Sequence, residues 1–187
     1  MDWNSISEEY LSVAEQVFGE LRETIERVGE KTAGSLAAGN KIMICGNGGS
    51  AADSQHMAAE LVNRFKKERR PYAAIALTTD ASILTSISND YSYDNVFEKQ
   101  VGALAVKGDV LLGISTSGNA GNVCLAVEYA KSIGVYTVAL TGGTGGKLIN
   151  AADTAICLSC TTCTARIQEG HGLIIHALCE YIEDSLN

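Results

Sequence analysis

Apolar residues follow two different patterns along this chain. Over the first 35 positions they recur at steps of three and four, which is the period of one face of a helix. The stripe consists of Leu11, Ala14, Val17, Phe18, Leu21, Ile25 and Val28. It predicts one long amphipathic helix over residues 7–35, whose apolar face needs a partner surface.

The rest of the chain carries short apolar runs separated by Gly, Ser, Thr and Asp. Five of them predict buried strands at residues 41–45, 73–77, 110–114, 135–140 and 154–158. Helical segments are expected between and after them at residues 51–65, 81–87, 95–104, 121–132 and 166–184, with a loop at 88–91. Continuously apolar strands that alternate with helices are typical of a parallel sheet covered on both faces.

The predicted fold class is therefore α/β, a doubly wound five-stranded parallel sheet flanked by helices. We expect a single domain over residues 1–187, with residues 1–36 as an oligomerisation helix and 37–187 as the α/β core. The composition agrees, because 46% apolar and 19% charged residues are ordinary for a globular domain.

The charge of the chain argues against a nucleic-acid partner. The net charge is −8, and the basic stretch 66–70 reads as a solvated helix end.

No apolar run is long enough for a membrane span, and the first residues lack the features of a secretory signal, so we expect a cytoplasmic protein with reduced thiols. Cys157, Cys160 and Cys163 are then interpreted as thiols near a strand end, since a cluster site would need a fourth.

A glycine-rich loop follows the first predicted strand and precedes a helix. It contains Asn47, Gly48, Gly49 and Ser50. Glycines allow backbone N–H groups to approach an anion, and the helix offers its positive end. Sugar phosphate is favoured over a nucleotide, because the third glycine of the dinucleotide fingerprint and the Gly-Lys of a Walker loop are both missing. A purely structural tight turn is the alternative.

Three hydroxyl residues, Ser115, Thr116 and Ser117, follow the third predicted strand, just before another helix. Together they could bind a phosphate through side-chain and backbone donors. A helix N-cap is the simpler alternative, but it needs only one hydroxyl.

His56 and Glu60 are four residues apart on the helix after the glycine loop, so they share one face. Such a pair can hold a metal ion or place a base beside a polarising group, although many such pairs are simply solvated. The last helix carries His171 and His176. For His171 a core or exposed position without a catalytic role is favoured.

Taken together, five segments resemble the phosphoheptose isomerase family, which has the sugar-isomerase (SIS) fold. They are CGNGGSAADSQHMAAE at 45–60, ALTTD at 76–80, SNDY at 88–91, STSGN at 115–119 and ARIQEGH at 165–171. The resemblance runs nearly end to end and keeps the order of the motifs.

The resemblance implies interconversion of sedoheptulose 7-phosphate and D-glycero-D-manno-heptose 7-phosphate by a homotetramer, which supplies heptose to cell-envelope polysaccharide. It also implies one zinc per active site, with His56, Glu60, Gln168 and His176 as ligands. The implied substrate contacts are Asn47, Gly48, Gly49, Ser50, Glu60, Arg64, Asn89, Asp90, Ser115, Thr116, Ser117 and Gln168. Two departures remove a contact each: Ala120 stands where many relatives have serine, and Ala165 where some have an acid.

Moving a carbonyl between C1 and C2 requires a base that removes a proton from the carbon next to the carbonyl. A carboxylate in a water-poor crevice suits that task, so Glu60 is assigned as the base and His176 as the partner acid. Two other functions stay open at this point. One is a non-catalytic SIS protein that binds a partner, of the type associated with a replication initiator. The other is an isomerase of a different sugar phosphate.

Gln168 and His176 are eight residues apart, so on one straight helix their backbones are separated by about 12 Å. Donor atoms around one zinc lie within about 4 Å of one another. Either the helix begins after Gln168, or the two ligands come from different chains. We favour different chains, which predicts an active site that spans subunits.

Overall fold

The computed structural model describes all 187 residues, Met1–Asn187. It contains eight α-helices, five strands and one short 3-10 turn at Tyr93–Asn95. The helices are α1 Trp3–Phe18, α2 Arg22–Ala37, α3 Gly49–Val62, α4 Ala81–Asp90, α5 Val96–Leu104, α6 Gly121–Ser132, α7 Leu148–Ala151 and α8 Thr164–Leu186. The strands are β1 Ile42–Gly46, β2 Ala74–Ala76, β3 Val110–Ser115, β4 Tyr136–Gly142 and β5 Thr154–Leu158.

All five strands are parallel and lie in the order β2-β1-β3-β4-β5. Alternate side chains of β1 enter two separate cores, with Ile44 on one face and Met43 on the other. Helices α1, α2, α3 and α8 cover the first face, and α4, α5, α6 and α7 cover the second. The predicted doubly wound parallel α/β fold is confirmed. None of the helices combines the length and the hydropathy needed to cross a lipid bilayer.

The single N-terminal helix predicted over residues 7–35 is wrong, because the chain forms two helices there. Helix α1 ends at Phe18 and is capped by Gly19, whose N–H donates to the Glu15 carbonyl; α2 begins at Arg22. Glycine is a poor helix former and permits the break. The apolar stripe continues across the break because both helices bury apolar residues in the same core, including Val17 of α1 and Val28 of α2.

Three smaller differences concern element ends. The predicted loop at 88–91 is mostly helix, since α4 continues to Asp90 and the Ser88 hydroxyl donates to the Leu84 carbonyl, 2.7 Å away. Helix α3 stops at Val62, so Arg64 follows the helix instead of lying on it. The short helix α7 was not predicted; it buries Leu148 against the second core.

Candidate active site

The centre of the sheet is where its winding direction changes. The chain continues from β1 to β2 on one side and from β3 to β4 on the other, so the loops at the carboxyl ends of β1 and β3 diverge. Helix α3 then covers one face and α6 the other. The crevice between the two loops is the expected binding position in such a sheet.

The glycine loop and the hydroxyl loop meet there around a cavity of about 190 Å³. Its lining includes Asn47, Ser50, Ser115, Thr116, Ser117 and Gln168, and no charged side chain. Helices α3 and α6 both begin at this cavity, with Gly48 and Ala120 as N-caps that make no side-chain hydrogen bond. The first-turn N–H groups of α6 are available to an anion, whereas those of Ser50 and Ala51 in α3 already donate to the carbonyls of Asn47 and Gly48.

The two glycines of the first loop have separate tasks. Gly48 has φ +56°, a left-handed conformation that favours glycine. Gly49 lies against the side-chain amide of Gln168, so that a Cβ at this position would collide with it. The turn itself therefore favours glycine at position 48, which is compatible with a structural turn and with a loop that contacts a ligand.

Asn47 is held by two residues that sequence reasoning missed. Its amide exchanges two hydrogen bonds with Asn122 of α6, at 2.8 and 2.9 Å, and its Oδ1 also accepts from the Tyr93 hydroxyl at 3.0 Å. Asn122 is buried. The only signal in the sequence is a second asparagine shortly after the Ser-Gly-Asn turn, so these partners become visible only in the fold.

His56, Glu60 and His176 form a cluster beyond this cavity. The Glu60 Oε1 lies 3.1 Å from Nε2 of His56, which lies 3.3 Å from Nε2 of His176. One donor atom from each of the three residues falls within 4.8 Å of the others. Helix α3 supplies the first two and α8 the third, so the predicted i, i+4 pair gains its partner from the far end of the chain.

The donor set of this cluster fits a zinc ion. Two imidazole nitrogens and one carboxylate oxygen occur in catalytic zinc sites that leave one position open. The two Nε2 atoms face each other, and an ion between them would satisfy both lone pairs. The His56 and Glu60 side chains are 44% and 27% exposed, so an ion could enter from solvent.

Asp53 is a further acidic residue of α3 that sequence reasoning missed. It lies one turn before His56, and its Oδ2 is buried without a hydrogen-bond partner. Burial raises the pKa of this carboxyl, and the nearby His56 partly offsets the rise. A lone Asp within an alanine-rich helix gives no signal of this in the sequence.

Four predicted site residues are not brought to the histidine cluster within one chain. Helix α8 is unbroken from Thr164, so the alternative in which the helix begins after Gln168 is wrong. Gln168 lies at the cavity, about two turns from His176. Asn89 and Asp90 are exposed at the end of α4 and hydrogen-bond each other at 2.8 Å. Arg64 is exposed, 3.8 Å from the Glu68 carboxylate.

His171 is a core residue, as favoured from the sequence. It is fully buried, and its Nε2 lies 3.1 Å from the Thr141 carbonyl. Burial lowers its pKa to about 4, and the hydrogen bond only partly offsets that effect.

Of the three spaced cysteines, Cys157 lies in β5, while Cys160 and Cys163 are exposed in the loop before α8. They form no metal-ligating group with His, Asp or Glu.

Comparison with known proteins places this fold in one class. Residues 7–142 match the SIS domain family. Two solved structures superpose over nearly the whole chain. A phosphoheptose isomerase from Francisella tularensis has a TM-score of 0.92 at 38% identity, and one from Neisseria gonorrhoeae has 0.88 at 42%. Each alignment covers 97% of this chain and 96% of the other.

Comparison with individual sequences identifies the particular family within this class. The phosphoheptose isomerase of Aliarcobacter butzleri is 48% identical over 98% of both chains. That of Shewanella loihica is 53% identical over 89% of this chain and 85% of its own length. The chain belongs to the phosphoheptose isomerase family, and the resemblance drawn from its motifs is confirmed.

The buried His171 predicts a specific pH dependence of stability. Its pKa of about 4 in the fold lies below the ordinary 6.5, so the unfolded chain binds more protons between these values. Stability contributed by the neutral imidazole should be complete above pH 6.5 and lost as the pH falls toward 4. We expect the stability difference between wild type and His171→Gln to shrink by up to about 3 kcal/mol over that interval. Urea unfolding at several pH values measures it, and parallel pH profiles of the two proteins would contradict it.

Proposed function

We propose that this chain interconverts sedoheptulose 7-phosphate and D-glycero-D-manno-heptose 7-phosphate. The observation that carries the proposal is the pairing of a neutral, hydroxyl-lined cavity with a cluster of two histidines and a carboxylate between α3 and α8. A binding protein of this fold would need the cavity but not the cluster. Purified protein mixed with sedoheptulose 7-phosphate should form the aldose, and no aldose formation at micromolar enzyme would refute the activity.

The phosphate is assigned to the hydroxyl loop and the first turn of α6. A dianion there would accept hydrogen bonds from Ser115, Thr116 and Ser117. The helix ends supply positive potential, since the cavity offers no cationic side chain. The sugar carbons then extend toward Glu60 and His176.

The reaction moves two protons. The carboxylate of Glu60 takes a proton from C1 of the ketose while His176 gives one to the carbonyl oxygen on C2, which forms the cis-enediol. The O1 proton then returns to His176, and Glu60 delivers its proton to C2, which forms the aldose. Because Oε1 of Glu60 faces His56, Oε2 is the oxygen assigned to proton transfer.

A zinc ion is part of the proposal. His56 and His176 would hold it through Nε2 and Glu60 through Oε1, with Gln168 of the partner subunit as a further ligand, which leaves Nδ1 of His176 and Oε2 of Glu60 for proton transfer. When bound, it would polarise the sugar carbonyl as a Lewis acid. Arg64, Asn89 and Asp90 are proposed to contact substrate, although they lie apart from the cavity within one chain.

We further propose a cytoplasmic homotetramer whose active sites lie between subunits. The apolar side chains of Trp3, Leu11 and Phe18 on α1 are 72%, 58% and 60% exposed in the single chain, and such a surface is typical of an interface. A second subunit would also exclude water from Glu60, whose side chain is partly exposed in the single chain. The product would supply heptose for cell-envelope lipopolysaccharide.

Replacing Glu60 by Gln tests its role as the base. The amide keeps the shape and can still hydrogen-bond His56, but it cannot take a proton. We expect kcat to fall by about 100-fold or more while the melting temperature stays close to wild type. Glu30→Gln, which changes an exposed carboxylate of α2, is the control and should retain full activity. Activity of the Glu60 variant within threefold of wild type would exclude this assignment.

Replacing Thr116 by Val tests the position of the phosphate. The change removes one hydroxyl and little volume, and phosphate binding is shared by ground and transition states. KM should therefore rise about tenfold while kcat changes little. Thr144 lines the neighbouring cavity at the end of β4 and not the cavity at Ser115, so Thr144→Val is the matched control. An unchanged KM in the Thr116 variant would move the phosphate to the loop at Asn47.

A further inference from the structure

The loop between α3 and β2 is fastened by a buried ion pair. Nε of Arg69 donates to Oε1 of Glu183, 3.0 Å away, and the two side chains are only 1% and 2% exposed. Arg69 belongs to the loop and Glu183 to α8. The basic stretch 66–70 is solvated at four of its five residues, as expected, but it forms a loop after α3 instead of a helix end, and its buried member Arg69 ties that loop to the last helix.

Arg69 also caps the carboxyl end of α3. Its guanidinium donates to the carbonyl of Glu60 at 2.8 Å and to that of Leu61 at 3.0 Å, and it stacks on the Tyr72 ring at 4.0 Å. Carbonyls in the last turn of a helix have no partner within the helix. The first of these two belongs to the residue whose side chain faces His56.

Glu183 organises the other side of the loop. Its two oxygens accept the backbone N–H groups of Phe65, Lys66 and Lys67, at 2.9 to 3.2 Å. Burial opposes ionisation, but these bonds and Arg69 outweigh it, and the pKa of Glu183 lies below its usual value. Phe65, held in this way, packs against the ring of His176 with 5.5 Å between ring centroids.

The ion pair of Arg69 and Glu183 thus contacts both helices that carry the histidine cluster. On α3 it touches the backbone of Glu60, and on α8 it lies seven residues after His176, two turns along the same face. A buried ion pair is weak evidence of a gain in stability, because desolvation offsets much of the attraction. Its geometry here instead constrains how far α3 and α8 stand apart.

We infer that Arg69 and Glu183 are positioning residues that hold Glu60 and His176 at the separation needed to bind a metal ion and transfer protons. The inference deepens the proposed function and rests on it for the catalytic readout. It does not rest on it for metal binding, which depends on the spacing of the ligand side chains and is measured without the sugar. Partners that orient ligands in this way commonly change metal affinity by 10–100-fold when they are removed.

Glu183→Gln is the test, with Asp184→Asn as its matched control. Asp184 is the next residue of α8 and also pairs with the loop, through Lys67 at 2.5 Å, but that pair is exposed. Zinc is titrated calorimetrically into metal-free protein, at a temperature where circular dichroism shows each variant folded. We expect the zinc Kd of the Glu183 variant to rise at least tenfold and its kcat to fall similarly, with KM within twofold. The Asp184 variant should match wild type in all three.

A second variant covers the case in which Glu183→Gln does not fold. Arg69→Lys keeps the positive charge but loses the bonds to the α3 carbonyls, so it should also raise the zinc Kd. A folded variant of either residue with wild-type zinc Kd and kcat would overturn the inference, as would wild-type protein that binds no zinc. If wild type fails to isomerise the sugar while Glu183→Gln still loses zinc affinity, only the proposed function falls.

Discussion

The site depends on one packing contact, the docking of α8 along α3. Both helices start at the carboxyl edge of the sheet, and they touch at points spaced by about two turns. Gly49 meets Gln168 at the cavity, and His56 meets His176 further along. The end of α3 is then tied to Glu183 through Arg69. The cavity, the histidine cluster and the ion pair are therefore three consecutive parts of one helix interface.

This arrangement explains why the polar groups of the site are divided as they are. The cavity at the start of the helices is neutral, so an anion there would rely on free N–H groups and helix ends instead of cationic side chains. The titratable groups lie further along, where backbone donors are already paired within the helices. In the proposed function, binding of charge and transfer of protons are thus separated by the length of two helical turns.

The same contact also limits what one chain can do. An unbroken α8 keeps Gln168 beside Gly49 and away from His176, and the cluster stays partly open to solvent. Each chain has the parts of a site, but Glu60 lacks the dry surroundings that suit a base. Exposed apolar residues of α1 are a surface on which a second copy could complete that enclosure.

The sequence by itself determined the sheet, its parallel strands, the two loops and the His56–Glu60 pair, because these follow from local periodicity and spacing. It could not reveal the break at Gly19, since the apolar stripe continues across it with the same period. Nor could it show Tyr93 and Asn122 holding Asn47, Asp53 buried without a partner, or Arg69 joined to Glu183 across 114 positions. Those pairings depend on which helix faces meet, and only tertiary packing decides that.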